Sequence, residues 1–381
     1  MKPKVAFVQN VPFNDHRMVH TDGVARELIR RGYEVDVIIQ RSSEPCVLDV
    51  PYRVVEVPGG TYSFVGQALF MFRLFFLLRG KGYDVVHAKN PFSSVLPVLL
   101  CGCGAKVVYD VRGLWIDFGV HSGDIPGFMA PLLWGLDLWC MRRADKVIAI
   151  SYELRNELVK RGESEGHVEV IVGDGVDFER IQSLEPKDVR EYLGIQGEVV
   201  GYVGTISRSR FSERIIEAFK HVHDEVESAK LVMIGPCKEI EYFSGLIDEL
   251  SLTDNIFFTG FLPHDTCLRY MKSFDVAVSY HEGDLAFFNA AVPTKILEYF
   301  ACGCSIITTD QKMYKYLLTD KKDGYLTAQD PKSFAERIIH ILRNKELSKT
   351  LSVNTLETAK QYSFKTVTQK VESLYKLILH K

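Results

Sequence analysis

The chain has 381 residues, of which 46% are hydrophobic and 25% charged, and its formal net charge is -3 at pH 7. This length favours two domains over a single core, and the charge argues against nucleic acid as a partner, because nucleic-acid-binding proteins are usually basic. The eight cysteines include no Cys-x-x-Cys motif, so we expect reduced thiols and a cytoplasmic protein rather than a disulfide framework.

In the first half of the chain, short apolar runs alternate with helical patterns. The opening apolar run at 5–8 is too short for the core of a signal peptide and is interpreted as a strand. A helix is predicted over 19–31, and further strands are predicted at 35–39, 54–57, 84–87, 106–109, 146–150 and 168–172. This alternation is typical of a parallel, doubly wound sheet.

Two segments of this half, 64–78 and 125–139, are densely apolar. The first is shorter than the ~20 residues that a membrane-spanning helix needs, and it ends next to Arg79 and Lys81. Two interpretations remain open: a core helix packed on the sheet, or a peripheral contact with a membrane surface.

The second half repeats the rhythm of strands and helices. Strands are predicted at 199–204, 230–235, 256–260, 275–279 and 305–310. Two successive sets of βα units predict an α/β protein with two Rossmann-like domains. We place an N-terminal domain at 1–178, a C-terminal domain at 179–362 and a final helix at 363–381.

The stretch from Pro293 to Gly303 is the most informative part of this second domain. Proline suits the first turn of a helix, Glu298 lies about one turn inside, and glycine is a common helix terminator. A carboxylate near the backbone N–H groups of a helix start can hold a diphosphate and its ribose together. The pattern predicts a nucleotide-sugar site.

Four motifs, spread over nearly the whole chain, resemble those of glycosyltransferase family four. They are the strand and serine at 144–151, the Gly-Val-Asp turn at 175–177, the Tyr-Val-Gly-Thr segment at 202–205, and the spacing of two strands between 258 and 278. The resemblance implies the GT-B fold, with two Rossmann-like doubly wound domains facing a cleft. It also implies a retaining, hexosyl-type glycosyltransferase that moves a sugar from a nucleotide-diphosphate sugar to an acceptor hydroxyl.

The resemblance assigns the donor-binding residues to the C-terminal domain. Arg210 falls where the family has its phosphate-binding lysine, and arginine grips phosphate well. Thr205 replaces the family's second cation, and Arg208 is close enough to substitute for it. The remaining donor-binding candidates are Gly204, Val292, Pro293, Thr294 and Lys295.

Glu298 matches the second glutamate of the family's E-x7-E motif and is expected to accept hydrogen bonds from the ribose. Strict spacing places the first glutamate at Ala290, which has no carboxylate. Either Glu282 takes that role with about eight extra residues after it, or backbone N–H groups around 292–295 replace it. Glu282 is therefore a candidate catalytic residue.

In the N-terminal domain, Asp15 and His16 follow the first strand and are candidates for the catalytic site. His16 and His20 are four residues apart, a spacing that we interpret as a surface pair rather than a metal site. Arg112 occupies the position of the family's active-site histidine; it could contact the donor or an anionic acceptor, but its high pKa prevents it from acting as a base.

No Asp-x-Asp pair occurs in the sequence, so we expect metal-independent transfer without a cofactor, in which cations and a helix start offset the diphosphate charge. The expected partners are a nucleotide-sugar donor and a glycan or lipid-linked acceptor in surface-glycan assembly. Rival hypotheses are a GT-B enzyme of another class, such as a nucleotide-sugar epimerase or a phosphorylase, and a non-catalytic nucleotide- or glycan-binding protein.

Overall fold

A computed structural model of the chain describes residues 2–15, 17–42, 49–59 and 64–380, which form two compact units. The first unit comprises Met1–Gly175, Ala286–Val292 and Phe364–Lys381. The second comprises Val176–Leu285 and Pro293–Ser363. Each unit is built around one parallel sheet.

The first sheet has seven parallel strands in the order β3-β2-β1-β4-β5-β6-β7. Their apolar sequences are buried almost throughout in the central strands, as expected for a sheet covered on both faces. The strands are β1 Lys4–Gln9, β2 Glu34–Gln40, β3 Arg53–Val57, β4 Val85–Ala88, β5 Lys106–Val111, β6 Lys146–Ala149 and β7 Val168–Val170.

The second sheet has six parallel strands in the order β10-β9-β8-β11-β12-β13. In both sheets the strand order reverses beside the first strand of the unit, which places a topological switch point at the carboxyl ends of the central strands. The strands are β8 Val199–Val203, β9 Lys230–Ile234, β10 Ile256–Gly260, β11 Val276–Ser279, β12 Ile306–Thr309 and β13 Tyr325–Thr327.

Helices connect nearly all of these strands. Those of the first half are α1 Met18–Arg30, α2 Phe64–Leu78, α3 Leu96–Cys101, α4 Trp115–Ser122, α5 Ala130–Arg143 and α6 Tyr152–Lys160. Those that follow are α7 Phe178–Ser183, α8 Val189–Leu193, α9 Ser212–Glu225, α10 Ile240–Glu249, α11 His264–Met271, α12 Ala286–Asn289, α13 Thr294–Cys302, α14 Lys312–Lys315, α15 Pro331–Leu342, α16 Lys345–Gln361 and α17 Phe364–Leu379.

The connections of the first sheet divide its helices between two layers. Parallel crossovers are right-handed, so the β1-to-β2 connection and the connections that run from β3 towards β6 cover opposite faces. Helix α1 lies on one face and packs against α17, whereas α2, α3 and α5 share the other. No helix in the described ranges is long and apolar enough to cross a membrane.

The last helix, α17, belongs to the core of the first unit. Val371 and Tyr375 are buried in the same apolar cluster as Phe7 and Leu28. The hydroxyl of Tyr375 lies 2.7 Å from Nδ1 of His87 on β4. The C-terminal residues therefore fold with the N-terminal sheet although they follow the second unit in sequence.

Candidate functional site

The carboxyl end of β8 forms the first part of the site in the second unit. Gly204 follows this strand with φ of +140°, a conformation that residues with a side chain rarely adopt. A Cβ atom at this position would lie 3.0 Å from Nζ of Lys295. Glycine at this position therefore permits the backbone conformation and also leaves room for the lysine side chain.

Two cations, Lys295 and Arg210, approach the buried side chain of His281. Burial and, to a lesser extent, the charges of Lys295 and Arg210 together lower the pKa of His281 to about 3. The Lys295 ammonium also lies 4.0 Å from the centroid of the Tyr202 ring. In the part of the chain that the structure describes, neither cation is paired with a carboxylate. Their positive charge is available to an anion.

His281 itself was missed by the sequence analysis. It follows β11 by two residues, at the carboxyl end of a central strand, and its Nδ1 lies 2.7 Å from the Tyr314 hydroxyl. Its backbone N–H donates to Oγ1 of Thr309, at the end of β12. A polar residue directly after a buried strand was the signal that could have identified it.

The helix predicted after Pro293 is α13, with Pro293 as its N-cap and Gly303 as its left-handed C-cap. Glu298 lies one turn inside, and its side chain is 13% exposed. Its Oε1 is 2.6 Å from Nε2 of His264, the first residue of α11. This contact raises the pKa of His264, which favours an imidazolium that holds the carboxylate in one orientation.

Arg208 and Thr205 differ from Arg210 in their surroundings. Nε of Arg208 donates to Oε1 of Glu239 over 2.7 Å, and its guanidinium lies over the ring of Tyr242. The backbone carbonyl of Thr205 accepts a hydrogen bond from the Tyr202 hydroxyl. Arg208 therefore already has an anionic partner, whereas no carboxylate among the described residues is paired with Arg210.

The residues between Glu282 and α13 have two different environments. The carboxylate of Glu282 accepts hydrogen bonds from Arg214 and Tyr280 at 3.4 Å. Val292 is buried and belongs by its contacts to the first unit, whereas Pro293, Thr294 and Lys295 belong to the second.

In the first unit, Asp15 closes the turn that precedes α1. Its Oδ1 accepts hydrogen bonds from the backbone N–H and Nε of Arg17, at 2.9 and 2.7 Å. His16 lies outside the described residues. Asp15 thus shapes the start of the helix at the carboxyl end of β1.

Arg112 follows β5 and is enclosed by hydrogen-bonding partners. Its guanidinium donates to Oδ2 of Asp110 over 2.6 Å, to Oδ1 of Asp174 over 3.2 Å and to the carbonyl oxygen of Gly173, and it contacts Nε2 of His20. Burial raises the pKa of Asp110, but Arg112 and His87 outweigh that effect and hold it well below its ordinary value.

His20 is buried, so the expectation of a surface pair with His16 is wrong for this residue. Its Nδ1 lies 2.6 Å from the carbonyl oxygen of Asp174. Burial, together with the charges of Arg112 and Lys89, lowers its pKa well below the ordinary value. The sequence showed only its spacing from His16 and gave no sign of the contact with a loop more than 150 residues away.

The two units thus present different chemistry at the carboxyl ends of their strands. Among the described residues, no group of three or more His, Cys, Asp and Glu side chains is arranged to hold a metal ion. In the second unit, cations that have no carboxylate partner among the described residues accompany a glycine turn and a helix start, features that suit an anion. Two Rossmann-like units, each built on a parallel sheet, are the architecture of the GT-B fold class.

Comparison with known proteins defines the family. The chain belongs to the glycosyltransferases of group 1 and family 4: residues 188–358 match the model "Glycosyl transferases group 1", and residues 19–180 match "Glycosyltransferase Family 4". It is 24% identical to the capsular polysaccharide biosynthesis glycosyltransferase CapM of Staphylococcus aureus, over 71% of this chain and 70% of CapM.

Solved structures show the same fold. A glycosyltransferase from Rickettsia africae superposes with a TM-score of 0.79 at 17% identity, covering 99% of both chains. HepE from Anabaena, in complex with UDP, superposes with a TM-score of 0.77 at 16% identity, covering 99% of this chain and all of HepE. The recognition of family four and of the GT-B fold from sequence is confirmed.

Proposed function

We propose that this glycosyltransferase binds a nucleotide-diphosphate sugar in its second unit and transfers the sugar to an acceptor hydroxyl with retention of configuration. The observation that carries the proposal is the approach of Arg210 and Lys295 to the neutral imidazole of His281, without carboxylate partners in the described residues. Two such cations match the charge of a diphosphate. Gly204 and the start of α13 add room and backbone dipoles for the same group.

The ribose of the donor is assigned to Glu298. Its carboxylate lies about one helical turn from the start of α13, and His264 engages only one of its oxygens. The second oxygen can then accept a hydrogen bond from a vicinal ribose hydroxyl. HepE, which has the same fold, is seen with UDP, and this supports a nucleoside diphosphate as the ligand class.

Catalysis in this proposal rests on charge and positioning. The bond between the anomeric carbon and the diphosphate oxygen breaks as the acceptor oxygen bonds to that carbon on the same face, and the proton of the acceptor hydroxyl passes to the departing diphosphate oxygen. Arg210 and Lys295 stabilise the negative charge that develops on the departing diphosphate, so no metal ion is required for that task. Donor and acceptor are held in reacting geometry by the protein.

The proposed acceptor is a glycan or a lipid-linked glycan at the inner face of the cytoplasmic membrane, and the proposed pathway is surface-polysaccharide assembly. CapM, a relative over most of its length, acts in capsular polysaccharide biosynthesis. Glu282 is proposed to lie near the sugar, because it follows β11 on the same loop as His281.

A donor panel tests the function. Thermal shift and isothermal titration with UDP-, GDP- and ADP-sugars, with EDTA present, should identify one base that binds. Transfer to a glycan acceptor followed by NMR of the product should show the donor's anomeric configuration. No stabilisation by any nucleoside diphosphate would contradict the donor-site assignment, and an inverted product would contradict retention.

A further inference from the structure

The outer surface of α2, α3 and α5 in the first unit is unusually apolar. In α2 the exposed apolar side chains recur at helical spacing along one stripe. Large side chains of α3, of the turn just before α5 and of α5 itself continue the surface; Phe128 is 85% exposed, Leu132 72% and Phe72 64%. We call this surface the apolar face; it consists of Val65, Leu69, Phe72, Phe76, Leu100, Phe128, Met129, Leu132 and Leu136.

These helices form one continuous layer. Helix α3 packs against both α2 and α5, and all three cover the same face of the sheet because their crossovers have the same hand. In the second unit, exposed apolar side chains such as Phe261 and Val353 lie on separate elements. Single exposed residues are ordinary, whereas a contiguous apolar surface marks an interaction site.

The exposed charges within the two segments that carry most of the apolar face are positive. Segment 64–81 contains Arg73, Arg79 and Lys81 and no Asp or Glu. Segment 125–143 contains Arg142 and Arg143 at its end, and its one acidic residue, Asp137, is buried and accepts a hydrogen bond from the Tyr109 hydroxyl.

The guanidinium groups of two arginines lie over aromatic rings at the border of the apolar face. The Arg79 guanidinium lies 4.6 Å from the centroid of the Phe75 ring, and that of Arg143 lies 5.0 Å from the Trp139 ring. Aromatic rings and guanidinium groups with an apolar body and a polar edge are suited to the boundary between acyl chains and headgroups.

We propose that the apolar face is a docking site for an anionic phospholipid bilayer, with its phenylalanine and leucine side chains entering the interface and its arginines contacting lipid phosphates. A second copy of the chain fits less well, because a twofold interface would bring the same cationic rims together. A bilayer with anionic headgroups complements both the apolar surface and its charge. The biological setting rests on the proposed function, since a membrane-bound face would present the enzyme to a lipid-linked acceptor.

Vesicle co-sedimentation of the full chain tests the proposal. Vesicles of phosphatidylcholine with phosphatidylglycerol should bind the protein at low salt, and pure phosphatidylcholine should bind it more weakly. Replacing the two outward rings, Phe72→Ser with Phe76→Ser, should lower partitioning at least ~10-fold, because apolar burial in the interface is lost. The control, Phe261→Ser, removes a still more exposed ring (79%) from the second unit and should leave partitioning unchanged.

The charge contribution is tested separately. Arg73→Gln and Arg143→Gln should each weaken binding to anionic vesicles by about fivefold and leave binding to neutral vesicles unchanged, because each cation near an anionic surface contributes about 1 kcal/mol. High salt should reduce the difference in binding to anionic vesicles between the wild type and these arginine variants. Equal binding of wild type and the double phenylalanine variant would overturn the proposal, as would no binding to anionic vesicles at low salt.

Tryptophan fluorescence locates the contact. All three tryptophans, Trp115, Trp134 and Trp139, lie in or next to the helices of this region, so brominated lipids should quench them on binding. Binding without quenching would place the contact elsewhere and overturn the assignment, and so would a dimer that Phe72→Ser dissociates in the absence of lipid. Nucleotide-induced thermal shifts keep the two proposals apart. Variants that lose vesicle binding but retain nucleotide binding support the docking face, whereas a wild type that binds nucleotide but not anionic vesicles refutes the docking face alone.

Discussion

The two units of the chain use positive charge differently at the carboxyl ends of their strands. In the first unit, Arg112 donates to Asp110, Asp174 and a backbone carbonyl, so its charge is neutralised inside the protein. In the second unit, Arg210 and Lys295 have no carboxylate partner within the described ranges and act together on His281. The carboxyl end of the sheet thus holds a hydrogen-bonded cluster around Arg112 in the first unit and, in our proposal, an anion site in the second.

This difference shows why position in a fold is insufficient to assign a role. A cation whose hydrogen bonds are saturated contributes to the fold, because removing it leaves a buried carboxylate unpaired. A cation that lacks an anionic partner keeps its charge available to a ligand, and we therefore expect it to affect binding more than folding. The contrast can be tested by comparing stability and nucleotide affinity for variants in the two units.

The largest expected effect is on stability, in the first unit. Arg112→Leu should lower the free energy of unfolding by about 3–5 kcal/mol, because it leaves the buried Asp110 carboxylate without its cation. Urea unfolding of the purified chain measures this. Arg112→Lys should recover part of the loss. Wild-type stability in Arg112→Leu would break the comparison.

The next effect is on nucleotide affinity, in the second unit. Arg210→Ala and Lys295→Ala should each raise the Kd for the nucleoside diphosphate about 10- to 100-fold, because a hydrogen bond to a charged group contributes about 1.5–3 kcal/mol. Unfolding in urea should be nearly unchanged. The control is Arg208→Ala, whose partner is Glu239 and which should change Kd by less than about threefold. A larger increase in Kd for Arg208→Ala than for Arg210→Ala would show that Arg208, not Arg210, contacts the diphosphate.

A smaller effect concerns the ribose. Glu298→Ala should weaken binding of the ribonucleotide about 10-fold and binding of its 2′,3′-dideoxy analogue little, because the lost hydrogen bond involves a ribose hydroxyl. The ratio of the two affinities measures how well the protein distinguishes a ribose from a dideoxyribose. His264→Ala should also lower this ratio, and His264→Gln should restore part of it by donating to the same carboxylate. Titration calorimetry with both ligands measures the discrimination. If Glu298→Ala weakened both ligands equally, its ribose role would be refuted.

The smallest effect is the pH dependence of the contact between α17 and the N-terminal sheet. Burial raises the pKa of Glu372, but hydrogen bonds from Lys376, Lys2 and Tyr33 outweigh it and lower the pKa to about 2. A lowered carboxyl pKa contributes stability above the ordinary pKa of about 4.3, and that contribution is lost as the pH falls towards 2. In the wild type, the free energy of unfolding should fall as the pH is lowered from neutral to acid. Glu372→Gln should make this decrease smaller by on the order of 1 kcal/mol, as measured by urea unfolding at both pH values. An unchanged acid limb would contradict the network.

Much of the fold could be predicted because its strands are short apolar runs with turn residues between them. The strand β13 escaped prediction, since three residues are too few to show a period. The helix at 294–302 and Glu298 were found because proline and glycine mark its two ends. His264 and His281 were missed as members of the site because their partners, Glu298 and Tyr314, are more than 30 residues away in sequence.

The segment after Glu282 shows where sequence reasoning stopped. One of the two alternatives placed about eight extra residues after Glu282, but no sequence feature indicated that Ala286–Val292 groups with the first unit. Phe287 lies with its ring near Phe118 and His121, and Ser151 donates to the carbonyl of Ala290. Such contacts depend on tertiary packing, which no local pattern encodes.

The most direct test of the central claim is titration calorimetry of nucleoside diphosphates against the wild type and the Arg210→Ala, Lys295→Ala double variant, with EDTA present. The account predicts one site per chain in the wild type and its loss in the double variant, which should remain as stable to urea as the wild type. Equal affinity in both proteins would contradict the claim that these two cations form the diphosphate site.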